Sequence, residues 1–138
     1  MINFETGQRL MQDAERHYIQ MLDAYKNEWW NIVIRRAQET VELSLKAILK
    51  ILGIEYSKVH DVAPIFVESL RKRGIDLAEF EEIKKISAKL SEERAPSFYE
   101  EKIYDKIDAE AALKGAEKVL KISKEVLKKI KGENEKKL

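Results

Sequence analysis

The chain has 138 residues, of which 44% are apolar and 37% charged, with a formal net charge of +1. That length fits one compact domain with a core that needs no crosslinks, and the interleaving of acidic and basic residues argues against a general nucleic-acid coat. The absence of cysteine excludes disulfides, zinc-thiolate sites and cysteine nucleophiles, and the only two histidines, His17 and His60, lie too far apart in sequence to suggest a transition-metal site.

No cofactor or metal is therefore expected. No stretch reaches the roughly 18 apolar residues of a membrane span, and the first ten residues, MINFETGQRL, lack a basic segment followed by an apolar run. A cytoplasmic protein without membrane contact is the expectation. The Lys- and Glu-rich composition, poor in Asn and Gln, leans toward a thermophile source.

Five glycines and two prolines leave few places to interrupt a helix, so the expected fold class is all-α, an up-and-down bundle of about five helices, four long and one short. The first helix is expected over residues 5–25, where Leu10, Ala14, Tyr18, Met21 and Tyr25 recur at helical spacing. Asn27 offers a break and a cap. A second helix over residues 28–52 ends at Gly53, a residue suited to a left-handed cap. Two apolar rows, one from Trp30 through Ile34, Val41 and Leu45 to Leu52, the other from Trp29 through Val33 and Ala47 to Ile51, make this helix central. Its polar stripe of Arg35, Gln38, Glu39, Glu42 and Lys46 reads as the one solvent-facing edge, with a cleft lining as the alternative. A Glu42–Lys46 pair in that order contributes about 0.2–0.5 kcal/mol if exposed.

A connector, GIEYSKVH, leads to a short third helix from Asp61 to Arg73, stopped by Gly74. Asp61 is its expected N-cap, worth roughly 0.5–2 kcal/mol, and Pro64 is tolerated in the first turn. The fourth helix opens on Asp76-Leu-Ala-Glu79, a capping-box variant, and is expected to end near Glu93, because Pro96 should force the chain out of helix. Residues 94–107 then read as a loop exposing Tyr99 and Tyr104, where contacts to bases or simple anchoring are both open. Asp108 caps a fifth helix to about Lys131, which leaves residues 132–138 as a solvated tail beyond a single domain of residues 1–131. The lysines of this last helix are interspersed with Glu117 and Glu125 and suit a solvated face better than a phosphate-binding one.

Two segments carry a resemblance. AQETVELSLKAIL holds Ala37-Gln38, Val41-Glu42 and Lys46-Ala47, and HDVAPIFVESL opens on His60-Asp61 and continues with apolar residues at helical spacing. In this order they resemble the HEPN domain family, as does Arg94-Ala95-Pro96, which keeps the Arg and Pro of an Arg-Tyr-Pro-like motif and lacks its Tyr. The resemblance implies a helical bundle that pairs into a homodimer and acts either as a metal-independent ribonuclease or as the nucleotide-binding partner of a minimal nucleotidyltransferase.

The ribonuclease branch of that family carries an Arg and, after four to six intervening residues, a His. The His moves protons at the ribose hydroxyl and leaving oxygen, while the Arg holds phosphate. Here the positions that would carry the His after Arg94 are Tyr99, Glu100 and Glu101. The expected function is thus a non-catalytic nucleotide- or RNA-binding module, a homodimer beside a nucleotidyltransferase in a toxin–antitoxin-like pair. A ribonuclease using Arg94 with His60 is the first alternative. A purely structural dimerisation protein, pairing through apolar residues left over on the second helix, is the other. The candidate nucleotide- or phosphate-binding residues are Arg94, Tyr99, Tyr104, His60 and Lys46. For Arg94 the competing reading is a pair with Glu92 or Glu93. His60, preceding the cap, is expected to hold a neighbouring carbonyl or carboxylate and fix the connector's exit from the second helix.

Overall fold

The computed structural model describes residues 2–136. Five helices follow one another: α1 (Ile2–Lys26), α2 (Trp30–Ile51), α3 (Ala63–Lys72), α4 (Phe80–Phe98) and α5 (Lys106–Lys136). No strand occurs among the described residues. The expected all-α bundle, four long helices and one short, is the fold observed.

The two apolar rows of α2 place it at the centre. Every residue from Trp30 to Leu52 is buried or half-buried, with α1, α4 and α5 around it and α3 across its C-terminal end. Val33, Ile34, Leu45, Ile48 and Leu49 are fully buried there, and Phe66 of α3 meets Phe80 of α4 edge to face at 6.4 Å in the same core. Gly7 lets α1 lie close on α2, because a Cβ at that position would come within 2.9 Å of the Ala47 carbonyl oxygen.

Four helix ends share one hydrogen-bond pattern, in which the second residue past the cap reaches back five residues. Ile54 N–H donates to Leu49 O (2.9 Å) and Ile75 N–H to Leu70 O (2.9 Å), with Gly53 and Gly74 in the left-handed region between (φ 70° and 77°). The same bonds close α1, from Trp29 N–H to Ala24 O (3.0 Å), and α4, from Glu101 N–H to Pro96 O (3.0 Å). In those two the left-handed residue is a glutamate, Glu28 (φ 61°) and Glu100 (φ 56°).

Several expected boundaries move for physical reasons. α4 does not stop at Glu93; it runs through Pro96 to Phe98. Pro96 sits in the last turn, where carbonyls lose their helical partners in any case, and side chains supply donors instead. Ser97 Oγ donates to Arg94 O (3.0 Å), Arg35 Nε to Ser97 O (3.3 Å) and Arg35 Nη2 to Phe98 O (3.2 Å). α4 also starts four residues later than Asp76, at Phe80, with no side-chain cap. α3 begins at Ala63 with Val62 at the cap position, so Asp61 lies one residue outside. Its Oδ1 still accepts from Ala63 N–H (3.3 Å), and it also takes Ser87 Oγ–H of α4 (2.7 Å), tying the connector to α4.

Asp108 is the third residue of α5, in its first turn, and not its cap. Asp105 Oδ1 accepts from Asp108 N–H (2.8 Å) while Asp108 Oδ2 accepts from Asp105 N–H (3.2 Å), a reciprocal box that starts the helix at Lys106. These bonds, with those from the Asp108 and Ile107 backbone, hold the Asp105 carboxyl below its usual range. α5 continues through Gly132 to Lys136, so most of the expected tail is helical, and residues 137–138 lie outside the described ones. No described helix is long and apolar enough to cross a membrane.

Candidate functional site

The polar stripe of α2 faces α4 and the α2–α3 connector instead of solvent, except for Glu39, which stays half-exposed and pairs with Arg36 and with His17 of α1. From its N-terminal end the stripe runs Asn31, Arg35, Gln38, Glu42, Lys46, at spacings of four, three, four and four. Asn31 is the anchor of the α4–α5 loop: its Nδ2 donates to Lys102 O (2.9 Å) and Glu100 Oε2 (3.0 Å), and its Oδ1 accepts from Tyr104 N–H (3.0 Å). Arg35 lies over the Phe98 ring at 4.8 Å and reaches Glu100 Oε1 at 3.5 Å.

Two turns on, Glu42 is a hub. Its Oε1 accepts from Gln38 Nε2 (2.7 Å) and lies 2.9 Å from His60 Nδ1, and its Oε2 accepts from Lys46 Nζ (2.7 Å). Burial alone would raise the Glu42 carboxyl, but the bonds from Lys46, Gln38 and His60, with the Lys46 charge, outweigh it and hold the group below its usual range. Glu42 is therefore an anion at neutral pH, able only to accept, and it fixes both neighbours. His60 must carry its proton on Nδ1, which leaves Nε2 on a ring whose side chain is 48% exposed. Gln38 must turn its NH₂ toward Glu42, which sends Oε1 the other way. That oxygen is buried without a hydrogen-bond partner among the described residues, a cost of about 1–3 kcal/mol.

The structure brings two of the five candidate residues together. His60 and Lys46 meet at Glu42, and Lys46 also sits 5.3 Å above the Tyr56 ring. Arg94 lies on the stripe of α4 that turns inward, four residues after Leu90 and three before Ser97, both buried. It is nonetheless exposed, and it enters none of the ion pairs among the described residues. The competing pair with Glu93 is not made: Glu93 lines a cleft between α4 and α5 with Asp108, Ala111, Ala112 and Gly115. Burial there pushes its carboxyl up, and Lys89 and Lys102 offset this only in part.

Tyr99 occupies the cap position after α4, 69% exposed, its ring edge-on to Phe98 at 5.0 Å. Tyr104 corrects the expectation of an exposed loop. It is 2% exposed and packed in the core, where burial raises its phenol above the usual value with Glu93 and Asp108 adding to it. It presents no ring face to a base. The lysine-rich face of α5 is laced with Glu pairs, including Lys118 to Glu82 (2.6 Å), Lys114 to Glu110 (3.0 Å) and Lys124 to Glu15 (3.0 Å), as a solvated face should be. Asn31 was the residue that pattern reading passed over, and Gln38, named in the stripe, was not singled out as a site residue. The signal for Asn31 was its place one turn before Arg35, in the same helical row as Gln38 and Glu42.

A HEPN domain model matches residues 8–127. No curated protein and no solved structure matches the chain. With that match covering α2, the His60-Asp61 connector, α4 and most of α5, the chain belongs to the HEPN domain family, whose members are nucleotide- and RNA-related modules.

Proposed function

We propose that this HEPN-family chain is a nucleotide- or RNA-binding module without catalysis of its own, working as a homodimer beside a small nucleotidyltransferase in a toxin–antitoxin-like pair. The observation that carries the reading is Arg94, an exposed guanidinium in no ion pair, on the helix stripe that faces the polar row of α2. A planar fork with no carboxylate partner suits a phosphate, which it can hold with two parallel hydrogen bonds. Tyr99, five residues on, stands where a catalytic His would be required. A phenol with a pKa near 10 is a poor base at neutral pH, and Glu100 beside it is tied to Arg35 and Asn31.

Calorimetric titration with ATP and with short RNA tests this. The wild-type chain is expected to bind, and Arg94→Ala to bind about ten- to a hundred-fold more weakly, the loss typical of a charged hydrogen-bonding partner. Absence of heat from every nucleotide and RNA would leave a structural role only.

A second reading is supported by the Glu42–His60 pair. A carboxylate on Nδ1 is how an imidazole is held with Nε2 ready to take a proton. If His60 serves a ribonuclease, purified protein in chelator cuts RNA and His60→Ala stops the cutting. Intact RNA under those conditions removes this reading.

A further inference from the structure

The α4–α5 loop lays a carboxylate against an arginine that is already held without it. Arg35 Nε donates to Ser97 O (3.3 Å), Nη2 donates to Phe98 O (3.2 Å), and the guanidinium lies 4.8 Å over the Phe98 ring. Those three contacts fix the group in place. Glu100 Oε1 stands farther off, 3.5 Å from Nη2, on a side chain that is 63% exposed against 28% for Arg35. Its other oxygen, Oε2, accepts from Asn31 Nδ2 (3.0 Å). Asn31 holds the loop without that bond, since Nδ2 also donates to Lys102 O (2.9 Å) and Oδ1 takes Tyr104 N–H (3.0 Å). The Glu100 carboxylate therefore adds little to either attachment.

Magnitudes point the same way. Glu100 lies in the left-handed region (φ 56°) at a helix end where Gly53 and Gly74 serve the equivalent positions of α2 and α3. That conformation costs an L-residue about a five- to thirty-fold shift in the folding equilibrium. A largely exposed ion pair contributes at most about five-fold in the other direction. Glu28 shares the conformation with no side-chain partner among the described residues, so what sets Glu100 apart is the cradle of donors that its carboxylate fills.

A guanidinium and an amide N–H around one carboxylate make a cradle that suits a phosphate equally well. Arg94, exposed and in no ion pair among the described residues, projects from α4 four residues before Phe98, about 6 Å along the axis. We propose that Arg35 and Asn31 form a second phosphate site beside Arg94, and that Glu100 is its resident anion, an autoinhibitory contact that an incoming phosphate displaces. The ligand class is then one with two or more linked phosphates, a nucleoside di- or triphosphate or an RNA strand, while a monophosphate engages Arg94 alone. This rests on the nucleotide-binding reading above. Displacement is eased by the strained backbone, because a released Glu100 can leave the left-handed region.

Calorimetric titration of the full chain with AMP, ATP and a short single-stranded RNA, at one low ionic strength, tests this in the wild type and two variants. Glu100→Gln keeps a polar side chain beside Asn31 and removes the charge; it is expected to tighten ATP or RNA by about ten-fold or more and to leave AMP within about two-fold. Glu28→Gln removes the same charge at the other strained helix end and is expected to change none of the three. A gain for ATP alone identifies the linked phosphates of a nucleotide, and a gain for RNA alone those of a strand. In the wild type, the Arg35 side-chain N–H resonance should move on saturation with the tighter of the two and stay in place with AMP. Unchanged ATP and RNA affinities in Glu100→Gln, an equal gain for AMP or in Glu28→Gln, or an Arg35 resonance that does not move overturns the proposal. Binding that Arg94→Ala weakens and Glu100→Gln leaves unchanged removes only the role of Glu100, whereas no binding in either the wild type or Glu100→Gln removes the nucleotide reading with it.

Discussion

Replacing Glu42 with Ala is expected to lower the stability of the chain by roughly 2–4 kcal/mol, measured by denaturant unfolding at neutral pH. Removing one member of a largely buried ion pair typically costs about 3–5 kcal/mol because the other charge is stranded. The range is set lower here because the side chains of Glu42 and Lys46 each keep 15% exposure. The loss has three parts: Lys46 keeps a half-buried ammonium without its anion, Gln38 loses the acceptor for its NH₂ while Oε1 already has no donor, and the His60 ring is released.

The effect carries a pH signature. The folded Glu42 carboxyl titrates below its unfolded value, so its contribution is complete above the unfolded pKa and is lost as pH falls through the folded one. The gap between wild type and Glu42→Ala should therefore be full at pH 7 and shrink below about pH 4.3. A gap that stays constant down to about pH 3 would show that Glu42 acts by packing and not by charge.

Phe66→Ala is expected to cost about 3–5 kcal/mol, the range for removing a fully buried aromatic, against the 5–15 kcal/mol of a typical domain. The consequence is local before it is global. α3 has ten residues, and Phe66 is its largest buried side chain, meeting Phe80 edge to face. Loosening α3 frees the connector that carries His60 and Asp61. Besides the drop in melting temperature, the His60 ring should lose its tie to Glu42, visible as a changed imidazole resonance by NMR. An unchanged His60 resonance in a folded Phe66→Ala chain would mean that Asp61 on Ser87 holds the connector alone.

What could be read in advance depended on whether a residue type announces its geometry. Gly53 and Gly74 did, since only glycine enters the left-handed region without strain, and both helix ends fell where expected. The ends at Glu28 and Glu100 use the same hydrogen bonds with a residue that gives no such sign. Pro96 misled for a related reason: its cost depends on whether the carbonyls around it find other donors, and Arg35, which supplies them, lies 61 residues earlier in the chain. Tyr104 followed from the same error, because a loop thought to begin at Arg94 seemed to leave it outside.

The site was legible as a set of residue types and not as a set of contacts. Arg94, His60 and Lys46 were identified from their order along the chain. That the stripe from Asn31 to Lys46 turns inward could not be read, since a polar row on a central helix fits solvent or a groove equally well. Only the position of α4 decides between them. The Glu42–Lys46 pair was anticipated, while its coupling to His60, 18 residues away, needed the fold.

The central place of α2, where no residue is fully exposed, sets the order in which the molecule can open. Amides of a helix covered along its length by its neighbours exchange with solvent mainly when those neighbours leave, so α2 should hold the most slowly exchanging protons and report global unfolding. Motion short of that is confined to the periphery, to α3 and the two turns that display Trp29 and Ile103. The polar row from Asn31 to Lys46 is therefore a fixed wall, and any adjustment to a bound molecule must come from the helices that face it.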